Sequence, residues 1–115
     1  MVKGNKELEP VTRDYTIHLH KRLHGIDLKK RAPRAIREIK NYTSRVMKTK
    51  DVRIDHNLNN FIWSRGIKGV PFRVRVRMQR KRNEEETAGD SMYTLVRYLP
   101  VDSFRGLRPE KVDSE

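Results

Sequence analysis

The feature that most limits how this chain can fold is an unbroken alternation of apolar and polar residues from Phe72 to Arg80. A period of two places the two sets on opposite faces of a β-strand. The apolar set, which begins with Phe72, is predicted to face a core. The other face carries Arg73, Arg75 and Arg77, which are about 6.8 Å apart along a strand.

A row of three arginines predicts an anionic partner, since like charges repel one another unless an anion neutralises them. The planar guanidinium fork fits a phosphate group, so the row predicts a phosphate-binding surface. An acidic protein or membrane headgroups have suitable chemistry as well. A solvated outer face is the alternative, although such faces normally carry charges of both signs.

The charge of the whole chain also favours an anionic partner. Lys and Arg outnumber Asp and Glu by 27 to 15 among 115 residues, a net charge of +12. Most of the basic residues lie in the segment 21–82, whereas the segment from 83 onward is acidic. The chain has no cysteine, which excludes disulfides and cysteine zinc sites. We find no apolar run that could span a membrane and no secretory signal at 1–10.

Shorter patterns predict the other elements. In chain order these are a strand at 15–20, a helix from Pro33 to about Lys48, a short strand at 52–54, a short helix capped by Asp55 or Asn57 and ending before Gly66, and a return strand at 93–98. Together they predict one small α+β domain at 11–101, with a short, mostly antiparallel sheet and two helices packed on one face. Residues 1–10 and 102–115 are expected to be flexible tails, the second of them acidic.

Two basic clusters and one aromatic residue extend the candidate surface. The clusters at 29–31 and 80–82 suit phosphate clamps, nuclear-import patches, or both. Trp63 beside Arg65 suits stacking on an unpaired base, but a core position is slightly favoured because tryptophan is highly buried on average. The predicted RNA-binding residues are Lys21, Arg22, Lys29, Lys30, Arg31, Arg34, Trp63, Arg65, Lys68, Arg73, Arg75, Arg77, Arg80, Lys81 and Arg82.

Neither a metal site nor a catalytic centre is predicted. His18, His20 and His24 lack a cysteine or a suitably spaced carboxylate to complete a ligand set. The run at 84–86 and Asp90 predict a solvated hairpin loop, because adjacent acidic side chains diverge and do not converge on magnesium. We therefore expect no enzyme activity and no cofactor, and a nuclease is the least favoured function.

Several blocks of the sequence resemble a known family in their order and spacing. They are Val11–His24, Lys29–Ile36, Ile62–Val70, Arg75–Arg77 and Arg80–Glu86. These blocks resemble the eukaryotic and archaeal large-subunit ribosomal proteins of the family numbered thirty-one. The resemblance covers about residues 11–88, whereas residues 1–10 and those after Gly89 match the family poorly.

The resemblance implies a small α+β protein of the cytosolic large ribosomal subunit, at the rim of the peptide exit tunnel. It further implies binding to ribosomal RNA, neighbouring large-subunit proteins, and passage through the nucleus and nucleolus during assembly. The rim is also a landing area for chaperones and nascent-chain factors, which are further candidate partners. The alternative is a free-standing RNA- or DNA-binding module that is not stably part of a ribosome.

Overall fold

The computed structural model describes residues 9–83 and 92–112, which form one mixed sheet with helices on one face. The strands are β1 (Val11–His18), β2 (Asp51–Ile54), β3 (Arg73–Arg82), β4 (Met92–Tyr98) and β5 (Glu110–Val112). The helices are α1 (Leu19–Arg22), α2 (Arg31–Met47) and α3 (His56–Trp63), with a 3₁₀ turn at Leu28–Lys30 before α2.

The sheet has the order β2-β4-β3-β1-β5, and only its β2–β4 pair is parallel among the described strands. The predicted α+β class and mostly antiparallel sheet are therefore confirmed. The structure adds a third helix, the single turn α1. It begins at Leu19, where the alternation predicts that the strand continues. The Leu19 side chain is buried in the helical turn, as it would be on the apolar face of a strand, so the alternation does not distinguish the two.

Helix α2 forms because small and apolar residues recur on one side of it. Ala32, Ala35, Ile39 and Met47 are fully buried at helical spacing. The helix starts two residues before Pro33, the predicted first position. Pro33 still lies in the first turn, where backbone N–H groups have no intrahelical acceptor, so the missing N–H costs little.

The core lies between the helices and the inward face of β3. Val74, Val76 and Met78 are fully buried there, as the alternation predicts. The edge-on ring contact between Tyr15 of β1 and Tyr42 of α2, with centroids 6.0 Å apart, joins the helical layer to the sheet. None of the helices in the described ranges is long and apolar enough to cross a membrane.

The end of α2 is strained at one residue. Lys48 follows the helix with φ of 60°, in the left-handed region, and its N–H donates to the carbonyl of Ser44 at 2.9 Å. Replacing Lys48 with Gly is expected to raise the free energy of unfolding by about 1 kcal/mol, because glycine adopts this conformation without a Cβ penalty. Urea unfolding measures the change. Lys50→Gly is the control, since Lys50 has no positive φ; an equal gain there would contradict the explanation.

The expected C-terminal tail, residues 102–115, contains a strand. After β4 the chain crosses β3 and β1 and adds β5 to the far side of β1, with Thr12 opposite Val112 and Asp14 opposite Glu110. The tail prediction is corrected for Glu110–Val112. Three residues are too few to show a periodicity, and backbone hydrogen bonds to an open edge do not depend on side-chain pattern.

Candidate nucleic-acid interface

Two of the three arginines in the β3 row bind groups within the protein itself. Arg75 is only 2% exposed. Its Nη1 donates to Oγ1 of Thr16, its cross-strand neighbour, at 2.9 Å. Its Nη2 donates to the carbonyl of Arg108 at 2.8 Å, which ties down the segment that leads to β5. The prediction that Arg75 contacts RNA is therefore corrected, because its donors hold the C-terminal crossing in place.

Arg77 is neutralised by an acid on the neighbouring strand. Asp14 lies directly opposite Arg77 in the β1–β3 register and is only 4% exposed. Nε of Arg77 is 2.9 Å from Oδ1 of Asp14, and Nη2 is 3.1 Å from Oδ2, so the pair is bidentate. The row was predicted to need an external anion because β3 itself has no acid. The structure supplies the acid from β1, and Arg73 is the member of the row whose side chain is exposed.

The cluster at 80–82 lies far from Arg73. Lys81 lies eight positions after Arg73 along the strand, a distance of about 27 Å. Nη1 of Arg80 donates to the carbonyl of Met47 at the end of α2, at 2.8 Å. Burial, followed by the positive charge of Arg13, lowers the pKa of Arg80. Lys81 and Arg82 are exposed at this end of the sheet. Arg73 and the cluster at 80–82 thus belong to separate surfaces.

Backbone contacts gather the other cations at the end of the sheet where β1 finishes and β3 begins. The N–H of His20 donates to the carbonyl of Phe72 at 3.0 Å, and that of Ala32 donates to the carbonyl of Ile67 at 3.1 Å. These bonds hold α1, the start of α2 and the loop before β3 together. We call the cations carried there the basic end; they are Lys21, Arg22, Lys29, Lys30, Arg31, Arg65, Lys68 and Arg73.

Some of the predicted arginines at or near the basic end have structural partners. Glu38 of α2 accepts from Nε of Arg34 at 3.0 Å and lies 3.8 Å from Nη1 of Arg22. Nε of Arg31 donates to the carbonyl of Ile26 at 3.1 Å. The exposed members of the basic end have no ion-pair partner within residues 9–83 and 92–112; they are Lys21, Lys29, Lys30, Arg65, Lys68 and Arg73.

Trp63 is the last residue of α3 and is 39% exposed. Leu58 and Ile62 provide the buried side of this helix instead. The slight preference for a core tryptophan is therefore wrong, and the exposed ring is available for the predicted stacking. The reason is the short length of α3: two turns bury two side chains against the sheet, and the next position already points away.

An open groove of about 560 Å³ lies between the basic end and the chain that follows β4. Its described lining contains no acidic residue and consists of His18, His20, Lys21, Phe61, Arg65, Pro71, Phe72, Arg73, Arg75, Tyr98, Leu99, Val101 and Phe104. Partial burial and the positive charges of Arg73, Lys21 and Arg22 lower the pKa of His18.

Phe72 was predicted to face the core and is instead 67% exposed. The first residue of β3 is Arg73, so Phe72 precedes the strand and does not share its buried face. Its ring contacts the ring of His20, with centroids 4.4 Å apart. A possible signal in the sequence is Pro71, which cannot donate to a sheet ladder and favours a start of the strand after it.

Sequence reasoning also left the outer face of α2 unassigned. Arg37, Lys40 and Arg45 are exposed along it. They form a second basic surface, beyond the predicted RNA-binding set. The helical spacing of the apolar residues in α2 is the sequence signal, because charged residues outside that apolar stripe face away from the core.

The described parts of the chain contain no group of three or more His, Asp or Glu side chains that could hold a metal ion. His18 and His20 both contribute to the groove, whereas His24 lies on the other side of Phe72. The acidic run at 84–86 and Asp90 lie outside the described residues, so the predicted hairpin loop stays a prediction.

Comparisons with known proteins agree with this basic α+β domain. The sequence profile of the family described as Ribosomal protein L31e matches residues 9–90. The chain is 58% identical over 113 residues to "Large ribosomal subunit protein eL31" of Cyanophora paradoxa, covering 98% of this chain and 95% of the relative. It is 56% identical over 113 residues to the protein of that name in Spodoptera frugiperda, with 97% and 91% covered. For Caenorhabditis elegans the identity is 59% over 107 residues, with 93% and 88% covered. The chain therefore belongs to the L31e family of ribosomal proteins, a structural component of the large subunit and not an enzyme.

Proposed function

We propose that this chain is held in the large subunit of the cytosolic ribosome by ribosomal RNA, which its basic end contacts through phosphate groups. The observation that carries the proposal is the division of the cations. Arg75, Arg77 and Arg34 have partners within the protein, whereas the exposed cations of the basic end have none in the described ranges. Unpaired cations held on one rigid surface are suited to a polyanion.

The arrangement favours recognition of RNA shape over recognition of base sequence. The exposed cations come from a helix, a 3₁₀ turn, a loop and a strand, so their spacing is fixed by the fold. Lysine and arginine contacts to phosphate position a protein on nucleic acid without reading its sequence. In folded RNA the accessible features of a duplex are its phosphates and 2′-hydroxyls. A structural component that holds folded RNA segments needs this kind of contact.

The proposed position at the rim of the exit tunnel is supported by the resemblance of the sequence blocks alone. Neighbouring large-subunit proteins, nascent-chain factors or chaperones, and nucleolar passage during assembly belong to the same proposal. The separation of Lys81 and Arg82 from the basic end is compatible with contacts on more than one side of the protein.

Sedimentation at high salt tests the proposal. Lysate from the native cells is separated on a sucrose gradient and the chain is followed by antibody. We expect it to sediment with the large subunit at about one copy per particle, because many simultaneous contacts keep an integral component bound at salt concentrations that release loosely attached proteins. Recovery at the top of the gradient would favour the alternative, a free-standing RNA- or DNA-binding module.

A further inference from the structure

The groove beside the basic end combines three properties that ordinary basic surfaces lack together. It is concave, it is rich in aromatic rings, and its described lining has no acid. Its volume of about 560 Å³ lies within the range that small organic ligands occupy in proteins. We infer that the groove receives an unpaired nucleotide of RNA, with the base stacked on Phe72. This inference rests on the proposed RNA-binding function and deepens it.

Phe72 is the residue best placed to stack on a base. Two thirds of the residue is exposed, although a phenylalanine in water gains nothing from exposure. The ring is also held in place. It contacts His20, and the Phe72 carbonyl accepts the N–H of His20 at 3.0 Å. A ring that is fixed and open is a ready stacking platform, because little conformational entropy is lost when a base packs on it.

A second pair of rings also lines the groove. Phe61 of α3 and Tyr98 of β4 are stacked, with centroids 4.3 Å apart and planes 16° from parallel. Phe104 adds a further ring from the chain that follows β4. An extruded base has two apolar faces, so aromatic side chains at more than one place on the groove match its shape.

The charged groups at the groove suit the rest of a nucleotide. Lys21, Arg65 and Arg73 are exposed and line it together with Phe72. A nucleotide bound through its base carries a phosphate on either side, and these cations are the matching donors. A run of acidic side chains would satisfy the same cations but has no ring to stack on Phe72. Every nucleotide of RNA has both a phosphate and a flat base, which is why RNA is the occupant we argue for.

The test compares two RNA probes. One is a short RNA duplex with a single unpaired adenosine replaced by the fluorescent base 2-aminopurine, and the other is the same duplex without the extra nucleotide. We expect the protein to bind the bulged duplex roughly tenfold more tightly, because stacking of one base on an aromatic ring contributes about a factor of ten in affinity. We also expect the stacked 2-aminopurine to be quenched. Phe72→Ala is expected to abolish both the preference and the quenching, and Phe72→Trp to retain them.

Leu28→Ala is the matched control, since Leu28 is also a large exposed apolar residue but does not line the groove. It should leave the preference for the bulged duplex unchanged, and thermal unfolding should show that each variant is folded. Binding of both duplexes with no dependence on Phe72 would overturn this inference and leave the proposed function standing. Binding of neither duplex would overturn both. If Phe72→Ala weakened the binding of oligoglutamate as much as it weakens the binding of the bulged duplex, the groove would be a peptide site instead.

Discussion

Replacing Arg77 with Gln is expected to lower the free energy of unfolding by about 3 kcal/mol, because it leaves the buried carboxylate of Asp14 without its bidentate partner. The estimate lies at the lower end for a broken buried ion pair, since the Arg77 side chain is 26% exposed. For a domain of this size the midpoint of thermal unfolding should fall by about 10–15 °C. Thermal unfolding followed by circular dichroism measures the change.

Arg73→Gln is the control for this variant, because Arg73 is an exposed arginine on the same face of the same strand. Its effect on the free energy of unfolding should stay within about 0.5 kcal/mol. The double variant Asp14→Asn with Arg77→Gln completes a cycle and should lose less stability than the two single changes added together, since both charges are then gone. Equal stability of the Arg77 and Arg73 variants would show that the buried pair is not structurally important.

A variant with five cations of the basic end replaced by Gln is expected to bind a folded RNA roughly a thousandfold more weakly at about 0.1 M salt. The changed residues are Lys29, Lys30, Arg65, Lys68 and Arg73. Each phosphate contact contributes up to about 0.9 decades of affinity at that salt concentration, and each contact removed lowers the slope of log affinity against log salt by up to about 0.9. Filter binding to purified large-subunit RNA across a salt series measures both quantities.

The outer face of α2 and the turn after it provide a control with the same loss of charge. The residues replaced by Gln are Arg37, Lys40, Arg45, Lys48 and Lys50, all of them exposed and all outside the predicted surface. If the position of the cations determines RNA binding, this variant should keep most of the affinity for RNA and most of its salt dependence. If the two variants weaken binding equally, net charge alone governs the interaction and the basic end has no special role.

Patterns that involve neighbouring residues were sufficient to predict most of the elements. The alternation in β3 and the helical spacing in α2 depend on which side chains share a face, and both segments have the predicted type. The predicted cap is also present: the N–H of Asn57 donates to Oδ2 of Asp55 at 3.1 Å. Such features are readable because each depends on contacts within a few residues of sequence.

The candidate site could be predicted only in part, because the strand partners decide which cations are free. Asp14 lies 63 residues from Arg77 in the sequence, and nothing local indicates that β1 places its carboxylate opposite that guanidinium. Arg75 is buried for a similar reason, since its acceptor on Arg108 is 33 residues away. Arg65 and Lys68 belong to a loop that tertiary contacts bring to the basic end, and both are exposed there.

The pairing of β1 with strands far along the chain also bears on how the protein acquires its shape during synthesis. β1 emerges early, yet its neighbours are β3 and β5, and Thr12 pairs with Val112. Contacts of such long sequence separation form slowly, because a large loop must close before they stabilise anything. The first strand therefore has no sheet to join until β3 has been translated. Until then the nascent chain presents an open strand edge and a surplus of positive charge, a state prone to misassociation that a chaperone or early capture by RNA would protect.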